Sequence, residues 1–314
     1  MEQEWVIETK RLSKQYKSKF AVNDVSMRVR RGDIYGLIGK NGAGKTTLMK
    51  MILGLAAPTS GEVCLFGNTD AKAVTLSRSR IGSLIEDPGL YKGCTAYENM
   101  LRFAILYGAD KGEIEDLLRL VGLENTGKKK AGVFSLGMKQ RLGIAIALLS
   151  HPEVLVLDEP INGLDPAGIK EIRDLILRLN REKGVTFIIS SHLLDELAKV
   201  VTRYGILSEG ILIQEITAEE LEEQCRHSAR LTVSDPARAA ELLKNRYEGI
   251  QLAEKFVGNS AGGNAENGRV IILYNYIDRT AEINGFLVNS GIAVSEITLS
   301  TNGTEEFFIE RLGR

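Results

Sequence analysis

The chain of 314 residues has only three cysteines, Cys64, Cys94 and Cys225, and they lie far apart. No metal-binding or disulfide spacing runs through them, so they read as buried or half-buried thiols of a reducing compartment. A basic excess is also missing: 40 Lys and Arg stand against 41 Asp and Glu, a net charge of −1. Nucleic-acid binders carry a clear positive surplus, so no nucleic acid is expected as a partner. The run Lys128-Lys129-Lys130 is short and reads as a solvated loop. Long apolar runs are absent too. The longest, such as "IAIALL" at 144–149, fall far short of the roughly 20 residues that span a bilayer. The acidic start "MEQEWVIETK" lacks the apolar stretch of a signal peptide. The expectation is a soluble chain that borrows any membrane part from a partner.

What remains is a chain 44% hydrophobic, enough for one large domain with a core and a smaller second one. Up to about residue 95, short apolar strands alternate with turns. "FAVNDVSMRVRRGD" reads as a strand ending at Arg31-Gly32-Asp33, "IYGLIG" as a buried strand, and "GEVCLFG" as another. From Thr95 to Ser150 the apolar spacing turns helical, in "AYENMLRFAILYG" and "EIEDLLRLVGL". "EVLVLDEP" and "VTFIISSH" are apolar throughout, as strands of a parallel sheet covered on both faces are. Between them "GIKEIRDLILRLNREKG" predicts an amphipathic helix closed by Gly184, and "RYGILSEGILIQE" predicts a hairpin turning at Glu209-Gly210.

Near Ile216 the character changes. "TAEELEEQC" predicts a short acidic helix capped by Thr217, with Glu220 at the box position. Strand 230–233, helix 236–244 and strand 250–257 follow, then a loop "GNSAGGNAENG", strand 269–274, helix 277–289, strand 293–299 and a last helix in "TEEFFIERL". That order is the split βαβ arrangement.

Chemistry concentrates in "GKNGAGKTT" at 39–47, which fits G-x-x-x-x-G-K-[ST] at Gly39, Gly44, Lys45 and Thr46 between a strand and a helix. Glycines let backbone N–H groups turn inward around phosphate oxygens, and the helix start adds its positive dipole end. Asn41, Gly42, Ala43 and Thr47 complete the candidate cradle. Lys45 is expected on the β- and γ-phosphates, and the Thr46 hydroxyl on Mg²⁺. "VLVLDEP" carries Asp158 to a strand's carboxyl end, where open α/β sheets bind ligands. Asp158 is the second expected Mg²⁺ ligand, and Glu159 the group that orients the attacking water and takes its proton.

At this point the sequence resembles the nucleotide-binding subunits of ABC transporters. The separating stretch is "FSLGMKQRLGIAIALL" at 134–149, similar to that family's signature motif just before the Asp-Glu strand. The usual "LSGGQ" stands here as Phe134-Ser135-Leu136-Gly137-Met138; the serine and second glycine remain, while the first glycine and the glutamine do not. The resemblance covers roughly residues 4–215. It implies that Ser135 and Gly137 bind the γ-phosphate of ATP held by the other subunit of a homodimer, and that Asp165 in "NGLDP" bridges the two subunits. It implies further that His192 in "ISSHLLDE" bonds the γ-phosphate and that Tyr16 stacks on adenine, with Phe20 as a substitute. One departure stands out in "IGSLIEDPGLYKGCTAYENM": the family has glutamine where this chain has Glu86. A carboxylate there can ligate Mg²⁺ but adds negative charge beside the triphosphate; otherwise it faces solvent or a basic residue of the partner. That stretch is similar to the ATPases of bacitracin and lantibiotic resistance or immunity exporters.

The expected fold is therefore α/β, a P-loop NTPase of the ABC ATPase type with antiparallel β and α-helical subdomains over 1–216, plus a small α+β domain over 217–314 of split βαβ, ferredoxin-like order. The expected activity is ATP hydrolysis that powers a separate transmembrane permease, with ATP and Mg²⁺ as ligands, at the cytoplasmic face of the cell membrane. The rival is a soluble mechanical ATPase of translation or DNA repair. The translation type fuses two engines and the repair type separates its motifs by long coiled coil, whereas this chain has one engine and about 90 residues between Lys45 and Ser135. For the C-terminal domain a dimer-stabilising role stands beside a ligand-sensing one.

Overall fold

The computed structural model describes residues 4–225, 228–256, 269–300, 307–308 and 311. In chain order its elements begin with β1 (Trp5–Tyr16), β2 (Lys19–Val25), β3 (Arg28–Arg30), β4 (Ile34–Ile38), α1 (Lys45–Ile52), β5 (Ser60–Leu65), α2 (Ala71–Ser77) and β6 (Ile81–Leu84). A helical stretch follows with α3 (Ala96–Tyr107), α4 (Ile114–Leu120) and α5 (Leu136–Leu148). Then come β7 (Val154–Asp158), α6 (Pro166–Lys183), β8 (Thr186–Ser191), α7 (Leu194–Leu197), β9 (Arg203–Ser208), β10 (Ile211–Thr217) and α8 (Ala218–Cys225). The last elements are β11 (Ser228–Val233), α9 (Pro236–Arg246), β12 (Leu252–Phe256), β13 (Arg269–Leu273), α10 (Thr280–Asn289) and β14 (Val294–Ser300). Among the described residues no helix is long and apolar enough to cross a membrane.

The chain divides into two compact units, residues 1–219 with 310–314 and residues 220–309, where the sequence-based boundary is 216/217 and gives the whole of 217–314 to the second. The first unit is built on a six-stranded sheet of order β10-β9-β4-β8-β7-β6. β4, β7 and β8 are buried at every position, as their unbroken apolar runs require. All neighbours in this sheet are parallel except β10, which returns on β9 through a turn at Glu209 (φ 48°) and Gly210 (φ 82°). Two positive φ values in a two-residue turn match the right-handed strand twist. A second, antiparallel sheet joins β2-β1-β3, with β5 on β1. The expected single strand in "FAVNDVSMRVRRGD" is in fact two, β2 and β3, that pair with different parts of the long β1. Helix α2, which the sequence reading passed over, starts at Asp70, whose side chain accepts from the Lys72 and Ala73 N–H groups.

In the second unit β11, β12, β13 and β14 form an antiparallel sheet of order β12-β13-β11-β14. That is the split βαβ order, with α9 and α10 as the crossovers. Its core holds Leu231, Leu243, Ile271, Leu273, Ile283 and Leu287. The expected loop 258–268 lies outside the described residues. So does most of the expected last helix, of which Phe307, Phe308 and Arg311 are described and helical.

At the amino ends of the parallel strands, Glu153 just before β7 gathers two arginines. Arg31 Nη1 stands 2.6 Å and Arg80 Nε 2.5 Å from its carboxylate, and Arg31 also reaches Glu4 at 2.9 Å. The Arg80 bond, followed by that from Arg31, holds the Glu153 pKa down to about 2 against an ordinary 4.5. A folded pKa below the unfolded one gives stability that is complete above pH 4.5 and lost as pH falls toward 2. The cluster is more than a third exposed, so solvent screening limits its worth to about 1 kcal/mol. Glu153→Gln is accordingly expected to lower the melting temperature slightly at pH 7 and to flatten the fall in stability from pH 4.5 to pH 3, read by thermal unfolding across that range. An unchanged slope would contradict it.

Candidate nucleotide site

The register of the parallel strands assembles the site. Asp158 at the end of β7 pairs with Ser190 on β8, and Ile38 at the end of β4 pairs with Ser191. Three carboxyl ends thus lie side by side, with 39–47 leaving the first, Glu159 the second and His192 the third.

Between β4 and α1 the loop is pressed against its neighbours. A Cβ on Gly39 would stand 2.4 Å from the Leu207 carbonyl oxygen, and one on Gly44 2.3 Å from that of Ala21. Gly44 and Gly42 also have φ of 105° and 82°, open to glycine alone without strain. The Gly210 N–H donates to Ala43 O at 2.9 Å, so the β9–β10 turn holds the loop from behind. Asn41 and Gly42 are exposed, Ala43 and Lys45 buried, and Thr46 and Thr47 half-buried.

Lys45 is 6% exposed, and its ammonium donates to Gly39 O at 2.7 Å and stands 3.3 Å from Glu159 Oε1. The other Glu159 oxygen lies 2.8 Å from His192 Nδ1. An ionised carboxylate only accepts, so Nδ1 carries the proton and Nε2 is left for another partner. Glu159 has φ 49°, a left-handed conformation that is strained for a side chain with a Cβ and is found at functional sites. The Thr46 hydroxyl donates to Asp158 Oδ2 at 2.7 Å, and the Ser190 hydroxyl to Oδ1 at 2.5 Å. Ser190 Oγ also accepts from the Glu159 N–H at 2.8 Å. Sequence reasoning missed Ser190, although a hydroxyl at the carboxyl end of the otherwise apolar "TFII" was a usable signal.

The donor set fits a magnesium nucleotide. Thr46 and Asp158 offer hard oxygens at the mouth of a backbone cradle, and Lys45 offers a buried cation. Among the described residues no group of three or more His, Cys, Asp or Glu could hold a metal ion by itself.

Other expected residues lie elsewhere. Ser135 caps α5, accepting from the Met138 N–H at 3.3 Å, and is exposed. Gly137 faces the 162–166 segment, a Cβ on it meeting Leu164 at 3.6 Å. Asp165 caps α6 by accepting from the Gly168 N–H at 3.1 Å, a local role that the sequence reading did not include. Tyr16 is 52% exposed at the end of β1, with the Lys14 ammonium 5.0 Å from its ring centre; Phe20 is also exposed. Glu86 is exposed, facing solvent as the sequence reading allowed, and its Oε1 accepts from Lys50 of α1 at 2.7 Å.

Residues 22–162 match the family described as ABC transporter. Over 309 residues the chain is 41% identical to the bacitracin transport ATP-binding protein BcrA of Bacillus licheniformis, covering 98% of this chain and 97% of that protein. It is 43% identical over 221 residues to the lantibiotic transport ATP-binding protein SrtF of Streptococcus pyogenes, covering 69% of this chain and 95% of that one. Among solved structures it is similar to the ATP-binding cassette MJ0796 in a dimeric post-hydrolysis state bound to ADP and Pi. The TM-score is 0.61 at 26% identity, over 68% of this chain and 98% of that chain.

Ser190→Ala removes a donor to Asp158 and the acceptor of the Glu159 N–H. It is expected to cost about 1–3 kcal/mol of stability and to lower ATP turnover about tenfold while the chain stays folded, measured by thermal unfolding and steady-state phosphate release. Wild-type turnover would show that the hydroxyl positions neither carboxylate.

Proposed function

The chain belongs to the ABC transporter family of ATP-binding proteins, and from that premise we propose that it powers a separate transmembrane permease exporting a peptide antibiotic such as bacitracin or a lantibiotic. The observation that carries this reading is the convergence of Lys45, Thr46, Asp158, Glu159 and His192 at three aligned strand ends. It is supported by 41% identity over nearly the whole length, second unit included, to a bacitracin transport protein. The relatives are transport proteins, and the reading as a soluble ATPase of translation or DNA repair is not favoured.

ATP binding would draw the Lys45 ammonium from Gly39 O and Glu159 onto the β- and γ-phosphates, while the N–H groups of 41–47 enclose them. Thr46 and Asp158 would hold Mg²⁺, which supplies charge neutralisation of the phosphate oxygens. Freed from Lys45, Glu159 would orient the attacking water and accept its proton, with His192 fixing the carboxylate and turning Nε2 to the γ-phosphate. Tyr16 would cover the adenine. Ser135 and Gly137, at the exposed start of α5, would close the γ-phosphate of a second copy, and Asp165 would face the seam between copies. Each homodimer would thus trap two nucleotides. The permease would dock in the groove beside residues 86–97, between the sheet and the helical region, where Tyr91 and Tyr97 are exposed, which would place the chain at the inner face of the membrane. The second unit is read as a dimer-stabilising addition.

Glu159→Gln is expected to bind ATP while hydrolysing it at least 100-fold more slowly, and to accumulate as an ATP-dependent dimer in size-exclusion chromatography. Lys45→Ala is expected to bind poorly. Wild-type-like turnover in Glu159→Gln would remove that residue from its role.

A further inference from the structure

Glu86 poses an electrostatic problem that its own chain answers. It follows β6 with φ 62°, a left-handed conformation uncommon for a residue with a Cβ. The segment after β6 has little room to shift toward α5, since a Cβ on Gly143 would stand 2.8 Å from Pro88 Cβ and 3.0 Å from Leu84. On its other side Glu86 meets Lys50, in the last turn of the helix that begins with Lys45. The Glu86 carboxylate raises the Lys50 pKa, burial opposes it, and Asp158 adds a further attraction. The Lys50 ammonium therefore pairs with the carboxylate at the departing position.

Resting on the ATPase reading, we propose that Lys50 is a positioning residue for nucleotide binding: its ammonium pins the Glu86 carboxylate to α1 and cancels its charge beside the phosphates. A merely structural surface ion pair would contribute little to stability and nothing to ATP affinity. A charge-cancelling one, removed on one side only, leaves an unmatched carboxylate facing a polyanion, a penalty on the order of tenfold in affinity at intermediate dielectric.

The test is a double-mutant cycle read by equilibrium binding of ATP to the full chain, at low and high salt, with magnesium and with EDTA, beside thermal unfolding of each variant. Lys50→Met is expected to weaken ATP binding about tenfold at low salt and less at high salt. In a Glu86→Gln background the same substitution is expected to cost only about threefold, the loss of the ammonium's own charge, and Lys50→Arg restores wild-type binding. Equal weakening in both backgrounds would mean that Lys50 acts on the phosphates directly, and would overturn the proposal, as would no weakening at all. Glu86→Gln alone leaves the ammonium unmatched and is expected to tighten metal-free ATP about threefold in EDTA; an unchanged affinity there overturns the proposal even if Lys50→Met does not fold. A wild-type chain that binds no ATP would sink the ATPase reading, whereas wild-type binding with an indifferent Lys50→Met sinks this proposal alone.

Discussion

Two hydroxyls from separate parts of the chain fasten one buried carboxylate. Thr46 leaves the phosphate loop, Ser190 ends a strand, and both donate to Asp158. A carboxylate that is 5% exposed needs such partners, because an unpaired one would carry a desolvation penalty of several kcal/mol. The pairing is available only because β4, β8 and β7 lie in parallel register and finish at one level. The apolar runs that bury these strands thus also decide where the polar groups meet. Fold and site are one constraint, expressed first as burial and then as alignment of strand ends.

The same logic orders the charges. Lys45 is buried and satisfied by Gly39 O and Glu159, and Glu159 is held from its other oxygen by His192. On the proposed reading a triphosphate would replace the partners of Lys45, while the bond between His192 and Glu159 would stay. Lys50 and Glu86 extend the pattern outward, keeping the added acid of this chain from standing unmatched.

Much of this was legible in the sequence, because the signals were local. Strands apolar throughout announced the covered parallel sheet, Glu209-Gly210 announced the β9–β10 hairpin, and the glycine-rich turn between strand and helix announced the phosphate loop. The alternation of elements after Thr217 announced the β12-β13-β11-β14 order of the second unit. What stayed hidden depends on register between distant segments. Ser190 looks like any polar strand end until Asp158 is known to lie opposite it. Lys50 looks like a solvated helix residue until the turn after β6 delivers Glu86. The division of "FAVNDVSMRVRRGD" into two strands follows from the length of β1, which no property of that stretch encodes. Asp165 could have been read as a helix cap from its place before Pro166, but a resemblance-based role drew attention from the local one.

The central claim is that aligned strand ends make one magnesium-nucleotide site from Thr46, Asp158, Glu159 and Lys45. A crystal structure of the chain with a non-hydrolysable ATP analogue and Mn²⁺, phased to show the manganese anomalous signal, tests it most directly. The account predicts a manganese peak between Thr46 Oγ1 and Asp158, phosphates within loop 39–47, and Lys45 moved from Glu159 onto phosphate. Manganese or nucleotide bound elsewhere, with the Thr46–Asp158 and Lys45–Glu159 contacts intact, would contradict it.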